Sequence, residues 1–166
     1  MHVIFVEPFF PRSQRHHVRG LRAVGATVSA IGETPYDQLD DELKGWLTHY
    51  ECIYSVTDEA HLEAAVRRIQ GRGWIDRLET TIESHVLPVA HVRERCGIPG
   101  TTGRTAWLCR DKAAMDDLVE AARSACLSPY AVAAALVSVI AGDSAPDSED
   151  PAHVLVRQRW GALLGL

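Results

Sequence analysis

Three short apolar runs, each leading into a helical stripe, constrain this chain more than any other feature. The first, residues 2–6, reads HVIFV and stops at Glu7-Pro8. A run apolar on both faces, without alternation, suits a strand buried within a parallel sheet. Pro8 and Pro11 bracket a loop, and Ser13 is placed to cap a helix whose stripe is Val18, Leu21, Ala23 and Val24. Gly25 closes that helix, and residues 26–31 form the second run, which completes a βαβ unit.

The pattern repeats. Residues 36–47 read as one helix with Leu39, Leu43, Trp46 and Leu47 on one side, and residues 52–56 as a third strand. Thr57 or Asp58 caps a helix that turns Leu62, Ala65, Val66 and Ile69 inward, until Gly71 and Gly73 break it. Residues 74–80 form a weaker, half-charged fourth strand, and residues 82–95 a further helix that stops near Cys96-Gly97. Strands alternating with helices predict an α/β fold: a Rossmann-like parallel sheet of about four strands with helices on both faces. A helical C-terminal extension follows, with a short helix over 101–110, a longer one over 111–122 and an apolar helix over 129–141. The acidic, proline-bearing residues 142–151 read as a linker, and the end as either a docked amphipathic helix or a disordered tail. The expected organisation is a sheet domain over 1–100, linker helices over 101–125, the apolar helix over 126–141, and linker plus tail over 142–166.

Composition excludes some functions. The 166 residues carry a net charge of −5, which argues against nucleic-acid and membrane-surface partners, since both need a basic surplus. No apolar run approaches the roughly 20 residues a membrane span requires. The N-terminus lacks a signal peptide's basic flank, so a cytoplasmic location is expected. The four cysteines form no CxxC pair and sit in apolar contexts, which reads as packed, reduced thiols. Only Lys44 and Lys112 are lysines, so each stands out.

Candidate chemistry is sparse, and no catalytic or metal-binding set is expected. The loop after the first strand lies where ligands bind in open α/β sheets, outside the strands' carboxyl ends. Arg12, Arg15, His16, His17 and Arg19 make the segment basic and suit an anionic ligand. Taken singly, His16, His17 and Arg19 read as a solvated helix face. The adjacent histidines point to different sides of a helix, which disfavours a metal. Glu83, at the start of the fourth helix, reads as a helix-dipole partner before it reads as a ligand-binding carboxylate. Lys112 sits in the first turn of a helix, where the backbone favours anions. It could reach a phosphate as a mobile point charge, or simply face solvent.

The segment from Glu83 to Ala122, centred on CGIPGTTGRTAWLCRDKAAM at residues 96–115, resembles the N-terminal part of ATP-grasp proteins. That superfamily contains biotin carboxylase and the carboxylate–amine ligases. The resemblance runs in order over residues 2–122 and implies that the sheet units are a pre-ATP-grasp domain. It implies that Lys112 contacts nucleotide phosphates, that residues 97–103 form the turn before it, and that Arg110 and Asp111 flank it structurally. It implies that the loop of residues 7–12 lies beside the acid substrate, a small carboxylate that ATP and magnesium activate as an acyl phosphate. After Lys112 the chain departs from the family: no later lysine, no glycine-rich loop and no late magnesium ligands follow. The expectation is a truncated ligase-type domain, inactive alone, with weak ATP binding or none. The alternative is a stand-alone α/β binding or protein-interaction module. In either case, apolar surface left by a missing domain would favour a homo-oligomer.

Overall fold

A computed structural model describes residues 1–128, 131, 132, 134, 135 and 149–164. The chain divides into two compact units, Met1–Ala106 and Trp107–Leu166.

The first unit is a parallel four-stranded sheet with helices on both faces. Its strands are β1 (His2–Val6), β2 (Thr27–Gly32), β3 (His49–Cys52) and β4 (Arg77–Glu79), in the order β3-β2-β1-β4. The helices are α1 (Arg15–Ala23), α2 (Asp41–Trp46), α3 (Glu59–Gln70) and α4 (Glu83–Arg95). β1 feeds both faces because side chains alternate along a strand. Ile4 and Val6 pack with Leu62, Val66 and Ile69 of α3 and with Val89 and Val92 of α4. Val3 and Phe5 pack with Val18 of α1 and Leu43 of α2. The continuous apolar run at residues 2–6 is therefore buried on both sides, as a central parallel strand must be.

Several boundaries differ from expectation, for local reasons. The expected helix over 36–47 is split. A 3-10 turn at Tyr36–Gln38 ends in extended Leu39, and Asp40 restarts the chain as the N-cap of α2, accepting from the Leu43 amide at 2.8 Å. β3 lies before the apolar run at 52–56. As an edge strand it needs only a half-apolar surface, so His49-Tyr50-Glu51 suffices, while Ile53 and Val56 fill the core from the loop beyond. β4 keeps only three residues of the expected seven. Ser13 makes no cap to α1; it lies within a 3-10 turn, Arg12–Gln14, that leads into the helix. Val24 is exposed rather than part of the stripe. Asp58 does cap α3, through the Ala60 and His61 amides.

A turn at residues 97–102 leads from α4 into α5 (Gly103–Arg110). It is held by Arg93, only 5% exposed, which donates to the carbonyls of Leu78 and Thr101 and pairs with Glu79 at 3.0 Å. A buried guanidinium is tolerable when its donors are met in this way. The side chain lies directly over Gly100, where a Cβ would sit 2.6 Å from the Arg93 Cδ, at a φ of +151°. At Gly103 a Cβ would meet the His91 ring at 2.2 Å. Close approach and the positive φ require glycine at position 100, whereas at 103 the half-exposed His91 ring would have to swing aside.

In the second unit, α6 (Lys112–Ser124) and α7 (Pro151–Leu164) share a small core of Ala122, Val132, Ala135, Ala152 and Val156. Of the apolar helix expected over 129–141, residues 131, 132, 134 and 135 are described and helical; its other residues, and 142–148 of the acidic stretch, lie outside the described residues. The tail forms a docked helix through Ala152 and Val156. Among the described residues, no helix is long and apolar enough to cross a membrane.

Substituting Gly100→Ala should destabilise the first unit by about 1–3 kcal/mol, because the buried Arg93 cannot yield without losing its acceptors. In urea unfolding the midpoint should fall with the slope unchanged; an unchanged midpoint would show that the turn is not held in this way.

Candidate functional site

The strand order places a topological switch at β1. The chain leaves β1 for β2 on one side, and β4 returns on the other. Ligands in open α/β sheets bind outside the carboxyl ends of the strands at such a point. A cleft of about 440 Å³ lies there. Glu7, Phe10 and Pro11 reach it from the loop after β1, Glu33 and Thr34 from the loop after β2, and Ile82, Ser84 and His85 from the start of α4.

Glu7 is the unusual residue in this wall. It follows β1 directly, and its amide still extends the ladder by donating to the Ile31 carbonyl at 2.7 Å. Its φ is +57°, a left-handed conformation that costs a non-glycine residue on the order of 1 kcal/mol. The side chain is only 6% exposed. Oε2 accepts from the Glu33 amide at 3.1 Å, whereas Oε1 is buried without any hydrogen-bond partner. An orphaned buried acceptor costs about 1–3 kcal/mol. Burial pushes the Glu7 carboxyl above the ordinary glutamate range, against the opposing pull of the Glu33, Phe10 and Phe9 amides, and the Glu33 charge adds to the rise.

The surroundings are built to hold this arrangement. Glu33 accepts from the Val56 amide at 2.8 Å, which ties the β2 loop to the segment before α3. The Tyr50 hydroxyl donates to the Thr34 carbonyl at 2.6 Å; burial first, then the Glu7 charge, raises its pKa. Gln14, itself buried, accepts from the Thr81 hydroxyl and joins the turn before α1 to the loop after β4. Burial also lowers the pKa of His85, whose Nδ1 is buried without a partner.

Arg12, Arg15, His16, His17 and Arg19, which would suit an anionic ligand, do not line this cleft, and His16, His17 and Arg19 lie on a solvated helix face, as each reads singly. Arg12, His16, His17 and Arg19 are exposed on the turn before α1 and on α1. Arg15 is turned toward α2, where it pairs with Asp40 at 2.9 Å and with Glu42, above the Trp46 ring. The cleft is acidic instead. Glu83 is exposed in the first turn of α4; its neighbours Ile82 and Ser84 line the cleft, and it does not. Lys112, the first residue of α6, is exposed and belongs to the second unit. Of the cysteines expected to be packed, Cys96 is half-buried against the core of the first unit, whereas Cys52, Cys109 and Cys126 are exposed. Among the described residues, no group of three or more His, Cys, Asp or Glu is placed to hold a metal ion. Glu33, Thr34, Ser84 and His85 had not been singled out from sequence. A carboxylate next to Gly32, just past a predicted strand, was the signal that could have found Glu33.

No protein-family model matches the chain, and no curated protein matches its sequence. Solved structures do match its fold. Phosphoribosylglycinamide synthetase from Anaerococcus prevotii superposes with a TM-score of 0.54 at 13% identity, covering 72% of this chain and 28% of that one. L-amino acid ligase from Bacillus licheniformis gives a TM-score of 0.52 at 15% identity, covering 72% and 29%. Both are ATP-grasp ligases, the superfamily that the sequence resembles. At these identities the likeness is one of fold, and the chain spans less than a third of either ligase's length.

The raised Glu7 pKa has a definite sign. A group whose folded-state pKa lies above its unfolded value contributes stability that is complete below the unfolded value, about 4.3, and is lost as pH rises through the folded one. Glu7→Gln should therefore raise Tm by about 2–4 °C at pH 7, with Glu33, Tyr50 and Cys52 as the titratable neighbours. The gain should vanish near pH 4, where wild-type Glu7 is itself protonated, at about its unfolded pKa. Differential scanning at both pH values checks this; a loss of Tm at pH 7 would contradict it.

Proposed function

We propose that the chain is the N-terminal, substrate-side domain of an ATP-grasp ligase-type protein. In full-length relatives such a protein activates a carboxylate with ATP and magnesium and joins it to a nucleophile. The observation that carries the reading is a conjunction: a parallel 3-2-1-4 sheet followed in sequence by α4, the Gly-Ile-Pro-Gly turn, the short α5 and the Asp-Lys helix. The fold likeness to two ligases supports it.

In this reading Lys112 meets the nucleotide phosphates. Its place fits that role: it is exposed, charged, and at the head of a 13-residue helix, where unpaired amides and the helix dipole favour an anion. The phosphate clamp of the relatives uses a second lysine, and no lysine follows Lys112. The relatives' late glutamate and asparagine ligands for magnesium have no match in this sequence either. This chain supplies one side of the clamp and the sheet-edge crevice, and has no turnover alone.

A second reading is a stand-alone α/β binding or interaction module, in which the scaffold persists without the chemistry. The packing of α7 on α6, which gives the second unit a core of its own, favours it.

Titration of the purified chain with Mg-ATP separates the readings. The ligase-domain reading expects no phosphate release and weak binding that Lys112→Ala reduces about tenfold, the loss of one charge-assisted contact. Folding stability should change by less than about 0.5 kcal/mol, because the residue is exposed. Measurable hydrolysis would overturn the claim of inactivity, and binding indifferent to Lys112→Ala would overturn the role of the lysine.

A further inference from the structure

We infer that the cleft at the carboxyl end of β1 takes the protonated amine of a small molecule, with Glu7 as its acceptor, and rejects carboxylates and phosphates. The inference deepens the proposed reading of this edge as the substrate side, and rests on it, but gives the edge to the amine nucleophile of the ligation in place of the acid that the resemblance implies beside residues 7–12.

Glu7 carries the argument. It forms part of the cleft wall, is only 6% exposed, and uses Oε2 for the Glu33 amide, while Oε1 makes no hydrogen bond and the Phe9 and Phe10 amides only offset part of the burial. Native proteins satisfy nearly all such groups, so an orphan in the wall of a cleft calls for an account. The backbone holds the residue there in a left-handed conformation, so two unfavourable features coincide on one side chain. A donor arriving with a ligand would complete the arrangement. Elsewhere in the same unit a buried charge is treated differently: Arg93 has carbonyls and a carboxylate from the protein itself.

The other cleft residues set the chemical class. Among the described residues, no lysine or arginine lines the cleft, and two carboxylates do. An anionic ligand would meet like charge in a partly desolvated site, which rejects it. Burial holds His85 toward its neutral form, so it offers no compensating cation. Among the described residues no set of three His, Cys, Asp or Glu is gathered for a metal ion, so the acceptors suit N–H donors. At the rim, the Phe10 ring is 72% exposed and offers a π face to an ammonium group. The Thr34 and Ser84 hydroxyls remain for the neutral polar part of the ligand.

The test uses two compounds on one carbon skeleton. Alaninamide carries the ammonium group without a carboxylate, and N-acetylalanine the carboxylate without an ammonium group. The full 166-residue chain, labelled with ¹⁵N, is titrated with each at pH 7 to tens of millimolar. Alaninamide should shift the Glu33 amide resonance, the reporter bonded to Glu7, and raise Tm with concentration; N-acetylalanine should do neither. Glu7→Gln, checked for an otherwise unchanged amide spectrum, should weaken the amine at least about tenfold, as loss of a charged acceptor does. A shift from N-acetylalanine alone would overturn the amine class and leave the edge as a substrate site. No response to either compound would overturn the substrate-side reading as well. An amine shift that survives Glu7→Gln would overturn the assignment to this carboxylate.

Discussion

β1 pairs in parallel along both edges, with β2 through five registered residues from His2 to Val6 and with β4 through three. That double pairing brings the first, second and fourth loops to one edge of the sheet. β2 and β4 flank β1 in space although both follow it in sequence, so the chain must cross the sheet between them. The helices that make the crossings, α1 on one face and α3 on the other, bury the alternate side chains of the same strand. Removing this pairing would remove the cleft together with the core. The site is a consequence of topology before it is a matter of particular side chains.

Two buried charges in the first unit show how the fold separates support from function. Arg93 is almost fully enclosed, yet its guanidinium meets Leu78, Thr101 and Glu79, and the result is a fixed turn ahead of α5. Glu7 is enclosed to a similar degree and keeps one oxygen without a partner. The first arrangement stabilises the fold. The second weakens it at neutral pH, the pattern expected where a protein keeps a binding group ready at the expense of stability.

The sheet was largely legible in the sequence, because its signals are local and redundant. The apolar run at 2–6 has no alternation, and the stripe Leu62, Ala65, Val66 and Ile69 behind an Asp58 cap admits only an amphipathic helix; all four are fully buried. Edge elements were harder to place. β3 needs few apolar residues, so the stronger run that begins at its last residue drew the assignment three residues late at the start and four at the end. The cleft was the least legible part. The basic residues at 12–19 dominate the sequence there, yet Arg15 is drawn away by Asp40 and Glu42, and the others are carried on the turn before α1 and on α1 itself. The acidic character of the cleft comes from Glu7 and Glu33, which lie 26 positions apart and meet only because β1 and β2 are neighbours. No spacing rule within one segment reports such a pair.

The central claim is that Glu7 stands buried and half-satisfied at the end of β1. Its carboxyl carbon, observed by ¹³C NMR through an acid titration of the unliganded chain, reports this directly. The account predicts a midpoint above those of the exposed glutamates, with the Glu33 amide following the same curve because it donates to Glu7. A Glu7 midpoint at or below the ordinary glutamate value would mean that a donor already satisfies the second oxygen, and the account of the cleft would be wrong.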